Sequence, residues 1–88
     1  MDITESRKKI DEIDAEMTEL FLKRMSLSAE IAEIKKEKNL PIFNEEREKE
    51  IVSEELKKSP EKLQKYLKDF YKNIFELSRK YQEEVIEK

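Results

Sequence analysis

No proline or glycine interrupts the chain between Asp2 and Leu40; the first proline is Pro41, and the 88 residues include no glycine. Nothing in that stretch breaks a helix, and Asp2-Ile3-Thr4-Glu5 fits an N-cap with an acidic residue three positions on. A first helix is therefore predicted over about residues 4–39, on the order of 50 Å long. A rod of that length is too long for a compact monomer of this size. The composition agrees, since 47% charged and 36% hydrophobic residues describe long helices with solvated outer faces and not sheets.

The first break is Leu40-Pro41-Ile42-Phe43-Asn44, where Pro41 bars continuation and Asn44 suits the cap of a new helix. A second helix is predicted over about 45–58, with Ile51, Val52 and Leu56 on one face and Arg47 and Glu48 one turn earlier on the same side. Ser59-Pro60-Glu61 reads as N-cap, proline at N1 and an acidic first turn, opening a third helix over about 60–86. Its apolar seam is Leu63, Leu67, Phe70, Ile74, Leu77, Tyr81 and Val85. Beside it a second row, Tyr71, Ile74, Ser78, Gln82 and Val85, keeps two polar residues on the buried side. No repeat or flexible linker divides the chain, which reads as one domain over residues 1–88. Long, short and long helices do not stack neatly within one chain. The economical solution is an all-α intertwined homodimer, in which the first helices pair and the shorter ones pack across both.

The apolar residues of the first helix fall at 10, 13, 17 and 20, then 27, 31 and 34, and the position completing the series is Arg24. Its neighbours three and four residues away are Leu20, Phe21, Leu27 and Ser28, so no carboxylate of its own helix neutralises it. Lys35, flanked by Ile31, Ala32, Lys38 and Asn39, is in the same state. Lys9, Lys23, Lys49 and Lys80, by contrast, have helical carboxylate partners and read as solvated surface. Eleven residues place Arg24 and Lys35 on nearly one face, roughly 16 Å apart, with Ser28 and Ala32 between them. A seam cation without countercharge costs several kcal/mol, so an acidic group of another helix or an anionic ligand must supply it.

The sequence also excludes chemistry. With no cysteine and no histidine there is no thiolate nucleophile, imidazole acid or base, or Cys/His zinc site, and no metal or cofactor is expected. No apolar run is long enough for a membrane span or a signal segment, so a cytoplasmic location and no membrane partner are expected. The net charge of −3 argues against a nucleic-acid partner, and any anion binding must come from local placement of cations.

Taken in order, Arg7-Lys8-Lys9-Ile10-Asp11-Glu12-Ile13-Asp14, then Arg24 and Lys35, Pro41-Ile42 with Arg47-Glu48, and Ser78-Arg79-Lys80-Tyr81-Gln82 carry a resemblance. At these intervals they resemble the all-α class of chorismate mutases over essentially the whole chain. That resemblance implies an intertwined dimer of three-helix subunits and, as substrate, the dianion chorismate, rearranged to prephenate by a pericyclic Claisen shift without cofactor. By position, it implies that Arg24 and the partner's Arg7 grip the carboxylates, that Ser78 adds a hydrogen bond, and that Lys35 and Gln82 flank the ether oxygen. Glu48 and the backbone at Asn44 would receive the ring hydroxyl, and Arg47 would order the start of the second helix. Ser28, Ile31 and Ile51 would form part of the wall.

One departure is Asn44, where the family often has aspartate; a contact made through backbone makes the change mild. Relatives often carry this unit fused to another enzyme of the pathway under feedback control, and no such control is expected from this polypeptide alone. Two other readings stay open: isochorismate pyruvate lyase, which is similar in fold and cation set, and a non-enzymatic helical dimerisation module with the inward cations in salt bridges.

Overall fold

Asp2 opens α1 (Ile3–Glu37), its Oδ1 accepting the Glu5 N–H at 2.9 Å as the Asp2-to-Glu5 pattern predicts. The computed structural model describes residues 2–87. The helix stops two residues before the predicted end, and the reason is Asn39, not Pro41. Asn39 takes the left-handed conformation at φ 56°, its N–H bonds to the Lys36 carbonyl at 3.3 Å, and the Leu40 N–H reaches back to the Lys35 carbonyl at 2.8 Å. This paired arrangement closes the last carbonyls of a helix, and asparagine is the residue after glycine that best tolerates it.

Asn44 opens α2 (Glu45–Lys57) as predicted, its Oδ1 accepting from Arg47 N–H at 3.0 Å, and three glutamates in the first turn suit the helix dipole. The expected cap of α3 (Glu61–Ile86) is different. Pro60, with φ −59° and ψ 142°, occupies the N-cap position, and Ser59 caps nothing. Its hydroxyl instead donates back to the Glu55 carbonyl at 3.0 Å, and Gln64 Nε2 donates to the Leu56 and Ser59 carbonyls at 3.0 and 3.3 Å. Two side chains thus serve the end of α2, where the orphan carbonyls lie.

α1 and α3 run parallel, with Ser28 meeting Ser78 and Lys36 bonding the Ile86 carbonyl. α2 returns antiparallel along α3, Glu48 against Arg79 and Leu56 against Gln64. The row of α3 turned inward is Tyr71, Ile74, Ser78, Gln82 and Val85, with Phe75 added; of the other predicted seam residues Leu67 is half-buried, and Leu63, Phe70, Leu77 and Tyr81 stand exposed. Lys23 pairs with Glu19 and Lys49 with Glu45 on the surface as predicted, whereas Lys9 and Lys80 form no ion pair among the described residues. Such exposed pairs contribute little to stability.

The chain measures 53 × 27 × 15 Å with a radius of gyration of 16.0 Å, against about 12 Å for a compact chain of this length. Ala32 and Phe75 are the buried apolar residues among those described. Residues 7–20 of α1 are exposed throughout, and Ile10, Ile13, Met17 and Leu20, the first half of the predicted seam, keep about half of their surface in water.

Candidate functional site

The three helices enclose a cleft of about 340 Å³. α1 lines it with Arg24, Ser28, Ile31 and Lys35. The connection and α2 add Ile42, Asn44, Arg47, Glu48 and Ile51, and α3 supplies Phe75, Ser78, Arg79 and Gln82. Four cationic side chains therefore face one carboxylate, a local positive excess in a chain whose net charge is −3. Low-dielectric walls on three sides concentrate that field.

Neither Arg24 nor Lys35 has a carboxylate within ion-pair distance among the described residues. The half-buried Arg24 guanidinium instead lies 5.8 Å from the centroid of the Phe75 ring. The ring face partly offsets the charge and leaves the guanidinium fork free for a planar anion. Lys35 Nζ donates to the Ile42 carbonyl at 2.7 Å. An ammonium has three N–H groups, so this anchor fixes the Lys35 head and leaves two donors for a ligand.

From Ser28, which lies between the two cations on α1, a buried polar chain crosses to α3. Ser28 Oγ and Ser78 Oγ share a hydrogen bond of 2.9 Å, Gln82 Nε2 donates to Ser78 Oγ at 3.1 Å, and Gln82 Oε1 is buried without a partner among the described residues. A buried acceptor left unbonded is costly. Half a turn of the amide removes the cost once an anion is present: Oε1 then accepts from Ser78, and Nε2 is offered to the cleft.

Glu48 pairs with Arg79 across the α2–α3 contact, and Arg47 pairs with Glu50 on its own helix. The Lys58 ammonium is held above its ordinary pKa by its hydrogen bond to Glu55 and by that carboxylate's charge, on the surface and away from the cleft. Among the described residues no cluster of three or more metal-ligating side chains occurs, and no helix is long and apolar enough to cross a membrane.

An arginine, a lysine and a glutamine converge on the cleft from two helices, and comparison with known proteins gives the family. The family profile described as chorismate mutase type II matches residues 6–83. The chain belongs to this family. Over 49 residues, 56% of the chain, it is 49% identical to a chorismate mutase of Methanocaldococcus jannaschii, a match covering 50% of that protein. Over 74 residues, 84% of the chain, it is 39% identical to a bifunctional chorismate mutase/prephenate dehydratase of Aquifex aeolicus, covering 18% of it. The chain thus spans half or less of the curated relatives it matches. No solved structure gives a significant match.

For a family member, the distribution of the expected site residues is informative. Arg24, Lys35, Asn44, Arg47, Glu48, Ser78 and Gln82 all line the one cleft, as do Ser28, Ile31 and Ile51. Arg7 does not: it is exposed on the second turn of α1, 28 residues from Lys35 and so roughly 42 Å away along the helix. Leu27, Ile42, Phe75 and Arg79 also line the cleft and were not among the expected site residues. Phe75, one turn before Ser78 on the same face, was legible from helical spacing. Arg79 was hidden, because Glu76 and Glu83 on its own helix make it look like an ordinary solvated cation.

Proposed function

We propose that this chain is a chorismate mutase that works as a homodimer, each cleft being completed by Arg7 of the other subunit. The observation that carries the reading is the pair Arg24 and Lys35: cations free of carboxylates, held in place by a ring face and a carbonyl, and facing a buried glutamine amide. Preorganised donors without countercharge are what a small dianion needs, and family membership supplies its identity.

The rearrangement of chorismate transfers no proton and forms no covalent intermediate. Its barrier falls when the substrate is held in a compact, chair-like conformer and when negative charge growing on the ether oxygen is stabilised. Arg24 and the partner's Arg7 take the carboxylates, because a guanidinium fork donates two parallel hydrogen bonds to a planar anion. Ser78 adds a donor there. Lys35, a compact charge, and Gln82, through Nε2, flank the ether oxygen. Glu48 and the backbone at Asn44 receive the ring hydroxyl, with Arg47 ordering the first turn of α2.

The second subunit is supported by length and exposure. About half of the surface of Ile10, Ile13, Met17 and Leu20 lies open along a rod that extends past the packed part of its own chain, and unpaired apolar stripes of this kind are usually covered in solution. A second copy laid antiparallel would cover them and bring an Arg7 to each cleft. The reading makes the protein a cytoplasmic isomerase.

Supplying the purified chain with chorismate and isochorismate in separate reactions and identifying the products tests this. Prephenate from chorismate is expected. Salicylate and pyruvate from isochorismate, with chorismate untouched, would make the chain a lyase instead.

A further inference from the structure

Arg79 holds two things at once. Its Nη1 donates to Glu48 Oε2 in an ion pair whose side chains are 29% and 23% exposed, and its guanidinium lies 5.0 Å from the centroid of the Phe43 ring. Every other ion pair among the described residues joins positions three or four apart in sequence; this one joins two helices. α2 needs such a tie, for none of its residues is buried. Its N-terminal turn, which carries Asn44, Arg47 and Glu48, is fixed from α1 by the Lys35 bond to the Ile42 carbonyl and from α3 by Arg79.

The grip is selective. Arg79 takes Oε2 and leaves Glu48 Oε1 without a hydrogen-bond partner among the described residues, in a side chain that lines the cleft. It also settles which cation Glu48 pairs with. Arg24, Lys35 and Arg47 line the same cleft, and a glutamate released from Arg79 would turn to them, since a half-buried carboxylate finds the nearest countercharge. Such a pairing would remove both the hydroxyl acceptor and a cation that the anion requires.

We infer that Arg79 is a positioning residue of the site: by binding Glu48 Oε2 it aims Oε1 at the substrate hydroxyl and keeps Glu48 off Lys35 and Arg24. The inference rests on the functional reading above. The hydroxyl takes no part in the bonds made or broken, so its binding is nearly equal in ground and transition states and appears in KM. Arginine suits the task because its planar fork bonds the carboxylate edge-on while its face covers Phe43; lysine keeps the charge and loses that geometry.

The test is a double-mutant cycle in chorismate turnover with Arg79→Gln, Glu48→Gln, the double variant and Arg79→Lys, each checked for native helicity by circular dichroism. Arg79→Gln raises KM about tenfold and, because the released Glu48 also engages Lys35, lowers kcat about tenfold or more, and Arg79→Lys falls between it and wild type. In the Glu48→Gln background, removing Arg79 changes KM by less than about twofold, because the residue it acts through is gone. A wild-type KM for Arg79→Gln, or a loss repeated in full in the Glu48→Gln background, overturns the inference. Should Arg79→Gln lose its fold, Arg79→Lys replaces it in the same cycle with the same two criteria. A wild-type chain that leaves chorismate unchanged overturns the functional reading and this inference with it, whereas an active wild type with additive losses overturns the inference alone.

Discussion

Replacing Lys35 with alanine separates the structural task of this side chain from the catalytic one proposed for it. One is structural: Nζ bonds the Ile42 carbonyl at 2.7 Å and ties the end of α1 to the chain entering α2. Lys35 is only half-buried and the carbonyl borders an open cleft, so water can replace the lost donor. The net loss is then about 1 kcal/mol, which lowers the melting midpoint of a domain this size by roughly 4–8 °C. The other task is catalytic, through the two donors left over. Removing one preorganised donor from a developing oxyanion typically costs about 3–4 kcal/mol, or about 10²–10³ in kcat. The alanine variant should therefore melt slightly early, keep its helicity and the same assembly mass as wild type, and turn over chorismate several hundred times more slowly. Stopped assays with prephenate quantified, beside circular dichroism melts, read both quantities. A kcat within a few fold of wild type would refute the reasoning, since the cleft would then not need Lys35 at the ether oxygen.

Two further outcomes rest on single residues. Gln82→Glu should be active only in acidic solution, with turnover rising as pH falls: the carboxyl donates to the ether oxygen only when protonated, whereas the glutamine amide donates at any ordinary pH. A flat pH–rate profile for that variant would argue against the contact. Asn39→Val forces a β-branched residue into the left-handed conformation at φ 56° and should lose about 1–2 kcal/mol, while Asn39→Gly should be neutral or slightly stabilising; equal melting midpoints for the two would show that the end of α1 does not depend on this backbone conformation.

The outline of the fold was legible because helix breakers are so few: the gap from Asp2 to Leu40 forces α1, and Asn44 marks α2. The ends were misread where local chemistry outranked proline. Asn39 stops α1 two residues before Pro41 comes into play, and Ser59 serves the carbonyls of α2 because Pro60 already supplies the extended entrance to α3. In the site, Arg24 and Lys35 stood out because their own helix offers no carboxylate one turn away, and neither forms an ion pair among the described residues. The same local rule hid Arg79. Glu76 and Glu83 flank it in sequence, yet it pairs with Glu48, 31 positions away, and such a pairing depends on how α2 lies against α3, which periodicity within one helix does not encode. The orientation of the Gln82 amide was out of reach for a similar reason, since it depends on two hydroxyls brought together from α1 and α3.

The central claim is that each cleft joins the cations of one chain to Arg7 of another. Its most direct measurement is prephenate formation by Arg7→Ala and Lys35→Ala chains, first apart and then after being unfolded and refolded together in equal amounts. Each alone should be nearly inactive. Random pairing makes about half of the dimers mixed, with one of their two sites intact, so the mixture should regain about one quarter of wild-type turnover. A mixture no more active than its separate components would contradict the account.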